Sequence, residues 1–190
     1  MKSTFRNIAV ISFALLFLVF AGIMLSFSTE TLETAEYPLD YEDLVNKAAK
    51  EYDVPVSVIY AVIKTESGFD PDSESYVGAR GLMQLMEISY EWIDNLRGVS
   101  GTSWDDLYKP EVNIDYGTWL LRYLYDEFGS WETVSAAYNA GITKVKTWLE
   151  NPEYSDDGRT IKNVPSESVS KYIEKVSSNR KGYESAYDFD

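Results

Sequence analysis

Apolar residues recur at helical intervals through most of this chain. Behind Asp40, which suits an N-cap, Tyr41, Leu44, Val45, Ala48, Ala49 and Tyr52 share one helix face. Pro55 suits the first turn of a second helix, where Val58, Ile59, Val62, Ile63 and Glu66 fall on one stripe. Ser67-Gly68 ends that helix, with Pro71 shortly beyond. The pattern predicts a third helix over 81–96 and a fourth over about 112–128. The fourth is apolar almost all round (Ile114, Trp119, Leu120, Leu121, Tyr123, Leu124, Phe128), which predicts the central buried helix. Trp131, Val134, Ser135 and Tyr138 mark a shorter helix, Val145, Trp148 and Leu149 another after Gly141, and 166–176 a last one. The linkers at 70–80, 97–110 and 150–165 carry Gly, Pro, Ser, Asp and Asn, and the third leaves room for a short hairpin over 154–164. The reading is a mainly α fold of about seven helices in one domain, 40–176, with a polar, frayed tail at 177–190.

The first residues follow a different rule. Residues 8–27 carry no charge over 20 positions. At about 1.5 Å per residue such a helix crosses a hydrocarbon core of about 30 Å. Lys2 and Arg6 precede it and Glu30, Glu33 and Glu36 follow. That asymmetry predicts a cytoplasmic N-terminus at 1–7, a single transmembrane anchor at 8–27, a polar stalk at 28–39 and an extracytoplasmic domain in a cell membrane. A cleaved signal peptide is the alternative, and would make the domain secreted. Its apolar region usually runs only about 7–15 residues, and no clear A-x-A cleavage site is visible.

Composition narrows the chemistry. Acidic residues number 31 against 17 basic ones, for a net charge of −14. That excludes nucleic acid as a natural partner, since phosphate needs cations facing it. There is no cysteine and no histidine. Disulfides, thiolate nucleophiles, imidazole bases and Cys- or His-ligated metals are therefore excluded. No motif calls for a metal or an organic cofactor. The chemistry must come from Asp, Glu, Lys, Tyr, Ser and backbone amides.

One such group stands out. Glu66 sits on the apolar stripe of its helix, and no Lys or Arg shares that stripe. Burial disfavours an ionised carboxylate, so a raised pKa is expected. A carboxylic acid held protonated in an apolar pocket can protonate a glycosidic leaving oxygen. The alternative is a glutamate at the frayed end of a helix, turned to solvent, and periodicity does not choose between them. Other positions read first as structural. Gly78 to Gly81 suit a turn, Gln84 and Met86 ordinary helix positions, and Asn139 the end of a helix capped by Gly141. Tyr172 suits a core aromatic, Asp70 and Asp72 turn residues, and Asp156-Asp157 a solvated loop.

Several motifs occur together in a fixed order. They are Val62 to Pro71 around Glu66-Ser67, Val77 to Met86 around Gly81-Leu82-Met83-Gln84, and Pro110 to Ile114 with Gly117. Ala137-Tyr138-Asn139-Ala140-Gly141 follows, then Val164 to Ser168 with Tyr172 to Val176. Together they resemble the soluble-lytic-transglycosylase (SLT) family over roughly 41–176. The resemblance implies an α+β lysozyme-like superfold acting on peptidoglycan glycan strands. It implies cleavage of the β-1,4 bond from N-acetylmuramic acid to N-acetylglucosamine, leaving a 1,6-anhydromuramyl end. By the same resemblance Glu66 is the single acid and base, Tyr138 orients it by hydrogen bond, and Ser75, Gln84, Met86, Asn139 and Tyr172 line the glycan groove. The chain departs from the family pattern at Glu87, where Pro is common, and at Asp70, where Asn is common. A muramidase that uses water, drawing on Asp70 or Asp72, and a non-catalytic wall-binding or scaffold module of a secretion apparatus are the competing expectations.

Overall fold

A computed structural model of the protein describes residue 20 and residues 36–98 and 101–189. Apart from residue 20, the expected anchor and the stalk up to residue 35 lie outside the described residues. Among the described residues no helix is long and apolar enough to cross a membrane. All helices named here fall in one unit, Leu39–Asp190.

Among the described residues, seven α-helices and one short 3-10 helix make up that unit. They are α1 (Glu42–Tyr52), α2 (Val56–Glu66), α3 (Glu87–Arg97), the 3-10 helix (Trp104–Tyr108), α4 (Pro110–Phe128), α5 (Trp131–Ala140), α6 (Ile142–Leu149) and α7 (Glu167–Ala186). Among the described residues there is no strand, only isolated bridges joining Glu74 to Arg80 and Arg80 to Leu85. The expected hairpin at 154–164 is instead a loop folded around Asp157. Its Oδ1 accepts from Ser155 Oγ and from the backbone N–H groups of Arg159 and Thr160.

The sequence dictates most of these boundaries. Pro55 stands at the start of α2, where its missing N–H costs nothing. Residues 57–63 are then buried without a break, so α2 has no solvent face. Helix α4, expected at the centre, packs against α1, α3, α5 and the 3-10 helix, though its Trp119, Arg122 and Tyr123 remain half-buried. Helix α2 packs mainly on α7, α1 on α4, and α5 lies against both α4 and α7.

Two further expectations are corrected. The third helix does not begin at 81. Gly81 and Gln84 both have left-handed φ values, +73° and +48°, which no continuous α-helix admits. A Cβ on Gly81 would overlap Asn113 Nδ2 and the Leu107 carbonyl oxygen. Residues 81–85 are therefore a tight turn, and the helix starts at Glu87.

The expected frayed tail is helical over 177–186, because α7 continues to Ala186. Val169, Val176 and Tyr183 recur every seven residues and are all buried, so one stripe holds the whole helix. Tyr183 stacks on Tyr60 of α2 with ring centroids 5.1 Å apart. Burying an aromatic side chain contributes about 1.5–3 kcal/mol, enough to keep this turn folded.

Candidate active site

Glu66 is the last residue of α2, and its side chain is neither core nor surface. The Tyr172 hydroxyl on α7 donates to Glu66 Oε1 at 2.6 Å. Burial pushes the Glu66 carboxyl up to about 6, against the opposing pull of the Tyr172 hydrogen bond and of the Lys175 ammonium. The C-terminal end of α2 carries partial negative charge, which acts in the same direction as burial. Of the charged groups around Glu66, Lys175 is the one that acts on its acidity, and no second carboxylate does so among the described residues. Near neutral pH a fraction of this carboxyl carries a proton in a site that excludes most water.

Tyr138, at the end of α5, approaches the same place. Its hydroxyl donates to the Met83 carbonyl oxygen at 2.8 Å. Burial first, and the Glu66 charge second, hold the Tyr138 hydroxyl well above its usual range. The same two causes act on Tyr172. Both phenols therefore stay protonated and act as donors. The hydrogen bond to Glu66 expected from Tyr138 is made instead by Tyr172, the residue expected only to line a groove.

The segment between α2 and α3 begins directly after Glu66 and receives the Tyr138 hydroxyl at Met83. Directly after Glu66, the Ser67 hydroxyl donates to the Leu82 carbonyl at 2.8 Å and accepts from the Phe69 N–H. Phe69 lies in the left-handed region with φ +72°. Phe69 and Gln84 (φ +48°), two non-glycine residues in a conformation that costs about 1–2 kcal/mol each, both lie in the segment that follows the glutamate.

The Gln84 amide nitrogen donates inward to the Ser73 and Gly81 carbonyls, so it braces the turn. The Ser75 hydroxyl accepts from the Ala79 N–H at 2.9 Å and closes the adjacent loop. Met86 is 36% exposed at the start of α3, and Asn139 is exposed on the last turn of α5. Glu66, Tyr172 and Tyr138 are brought together; no contact joins Ser75, Gln84, Met86 or Asn139 to the Glu66 carboxyl among the described residues.

Two features escaped the sequence reading. A cleft of about 490 Å³ opens beside Tyr138, walled by Ile88, Trp92, Leu120 and Ile142 with Lys144 at its margin. Its walls come from α3, α4, α5 and α6, and no periodicity in one helix announces a cleft between four. The other is Asn113, fully buried on α4. Its visible signal was its place in the motif Pro110 to Ile114 with Gly117.

A half-buried carboxyl raised to about 6 within a helical domain is the kind of group that general-acid chemistry uses. The family model described as the Transglycosylase SLT domain matches residues 43–161, and the chain belongs to that family. It is 35% identical over 143 residues to the soluble lytic murein transglycosylase of Escherichia coli K12, covering 74% of this chain and 22% of that protein. It is 31% identical over 169 residues to the membrane-bound lytic murein transglycosylase C of Edwardsiella ictaluri, covering 75% and 46%. Among solved structures, the soluble lytic transglycosylase SLT70 of Escherichia coli matches with a TM-score of 0.73 at 33% identity, covering 80% of this chain and 25% of that one. An inactive glutamate-to-glutamine variant of the lytic transglycosylase Slt of Pseudomonas aeruginosa matches with a TM-score of 0.72 at 29% identity, covering 82% and 26%. The chain thus spans about a quarter of the two soluble enzymes and just under half of the membrane-bound one.

Proposed function

We propose that this domain is a peptidoglycan lytic transglycosylase with Glu66 as its one general acid and base. The protonated carboxyl gives its proton to the glycosidic oxygen as the bond from that oxygen to the muramyl anomeric carbon breaks. The resulting carboxylate takes the proton of the muramyl 6-hydroxyl, whose oxygen bonds to the anomeric carbon. A 1,6-anhydromuramyl end results, no water is consumed, and Glu66 is again protonated. General acid–base help of this kind is worth about 10²- to 10⁴-fold. Tyr172 holds the carboxyl in place, and Tyr138, Ser75, Gln84, Met86 and Asn139 border the glycan groove.

The observation that supports this reading is a carboxyl raised to about 6 by burial, with no second carboxylate acting on it among the described residues, whose charge reaches Tyr138 on the wall of the cleft. Most glycosidases place a second carboxylate about 5–9 Å away. Asp70, the acidic residue nearest in sequence, is exposed and accepts the Asp72 N–H at 3.0 Å. Its position favours a turn residue over a water-activating base. An intramolecular nucleophile removes the need for a second carboxylate.

Mass spectrometry of fragments released from purified peptidoglycan tests the reading. Anhydromuramyl ends that depend on Glu66 are expected. Reducing muramyl ends would replace it with hydrolysis, and an absence of fragments on several wall types with a wall-binding or scaffold module.

The domain works outside the membrane, on glycan within tether reach of an anchor at 8–27. The uncharged segment and the charges on either side of it support this, as does similarity to a protein named membrane-bound. Alkaline extraction of membranes tests it, with the protein expected to stay in the membrane pellet.

A further inference from the structure

Met83 is gripped from two positions on α4. Its N–H donates to Asn113 Oδ1 at 2.7 Å. Asn113 Nδ2 donates to the Leu107 carbonyl at 2.8 Å and to the Arg80 carbonyl at 2.9 Å. One acceptor and two donors in use fix which way the Asn113 amide faces. One turn further along α4, Gly117 leaves room for the Met83 thioether. A Cβ there would overlap Met83 Sδ and crowd Cε. Asn113, Gly117 and Met83 are all buried. The outward-facing part of this socket is the Met83 carbonyl, which receives the Tyr138 hydroxyl.

We infer that Asn113 is a positioning residue, which with Gly117 fixes the Met83 peptide so that its carbonyl holds the Tyr138 hydroxyl away from Glu66. Glu66 then takes its phenolic hydrogen bond from Tyr172 alone. The groups facing Glu66 are Tyr172 and Lys175 from α7 and Tyr138 from α5. The turn at 80–85 adds backbone only, because its one charged side chain, Arg80, pairs with Glu74 and Asp105. Loosening the socket frees the Tyr138 hydroxyl to donate to the Glu66 carboxylate. A hydrogen bond to the charged form stabilises it, so Glu66 holds a smaller protonated fraction with which to protonate a leaving group near neutral pH. The inference rests on the reading of Glu66 as the acid, but its test needs no catalysis.

The test is a double-mutant cycle read on the Glu66 carboxyl carbon by NMR titration without substrate. Asn113→Ala and Gly117→Ala are each made in the wild-type and Tyr138→Phe backgrounds. Neither adds a charge, and they loosen Met83 by different routes, so one serves if the other fails to fold. The expected result is a fall of the Glu66 midpoint by about half a pH unit or more in the wild-type background and no change in the Tyr138→Phe background. With peptidoglycan, kcat at pH 7 falls with the midpoint while KM stays within about twofold. An equal fall in both backgrounds would mean that water enters a loosened loop, and would overturn the inference. So would an unmoved Glu66 in folded variants. Loss of Glu66-dependent cleavage in the wild type would remove the functional reading without touching the titration result.

Discussion

Tyr172 on the last helix donates its hydroxyl to Glu66 Oε1 at 2.6 Å, across 106 residues of sequence. This bond ties the end of α2 to α7, its most extensive packing partner. It sets two opposing influences on one carboxyl. Burial favours the protonated form and the phenol favours the ionised one. Their balance near 6 leaves Glu66 able both to give and to recover a proton. An acid with the ordinary glutamate value would hold too few protons at neutral pH to give, and one much higher would be a poor base.

Removing the phenol tips that balance in a known direction. Tyr172→Phe deletes the hydrogen bond that lowers the Glu66 value, so the carboxyl titrates higher, by about one pH unit. The protonated form starts the reaction, so the fall in kcat/KM on the alkaline side shifts to higher pH. Lys175→Met shifts it the same way by less, since Lys175 is the smaller of the two lowering influences. A pH–rate profile that stays in place in Tyr172→Phe would remove the phenol from the acid's control.

Glu66→Gln removes the proton donor at nearly constant shape. Cleavage of peptidoglycan is expected to fall by about 10³-fold or more, with binding of glycan fragments retained. Fragment release and a binding isotherm measured together check this. A folded Gln variant that releases fragments at the wild-type rate would end the proposed mechanism.

Much of this site was legible in the sequence, and the limits are physical. Glu66 could be singled out because a carboxyl on a period-3.6 stripe is visible within eleven residues. Its partner could not, because nothing local tells Tyr172 from any other aromatic on a helix face. Leu82, Met83 and Leu85 fit a helical period, so the third helix was placed too early. The left-handed Gly81 and Gln84 override that period, and the reason at Gly81 is Asn113, 32 residues on. The end of α7 was missed because one apolar residue in seven is a thin signal until Tyr60 supplies the surface it packs on.

Gly81 offers a direct check on the turn. Gly81→Ala must place a Cβ against Asn113 and the Leu107 carbonyl while holding φ at +73°. The strain of a left-handed alanine, about 1–2 kcal/mol, adds to the cost of displacing a buried amide that serves three backbone groups. A loss of about 3 kcal/mol or more is expected by urea denaturation. Gly78→Ala is the control, since its Cβ would meet nothing within 4 Å although φ is +83°. It should cost only the conformational part. Equal losses at the two positions would mean that the socket around Asn113 adds nothing.

The raised pKa of Glu66 also has a consequence for stability. Its folded value of about 6 lies above the ordinary 4.5. The folded state therefore binds this proton more tightly than the unfolded state does. That contribution to stability is full below about 4.5 and is lost as the pH rises through about 6. A difference of about 1.5 units corresponds to about 2 kcal/mol. Glu66→Gln has no such proton to lose, and its amide oxygen can still accept from Tyr172. At pH 7 the variant should be the more stable protein by up to about 2 kcal/mol, and at pH 4 the two should coincide. Urea denaturation at pH 4, 5.5 and 7 measures the gap. A gap that opens with pH over this window means that Glu66 is kept in place at the expense of stability, as expected of a group retained for chemistry. Stabilities that run parallel across the window would mean that the glutamate is solvated at the end of its helix, and would withdraw the physical ground for calling it an acid.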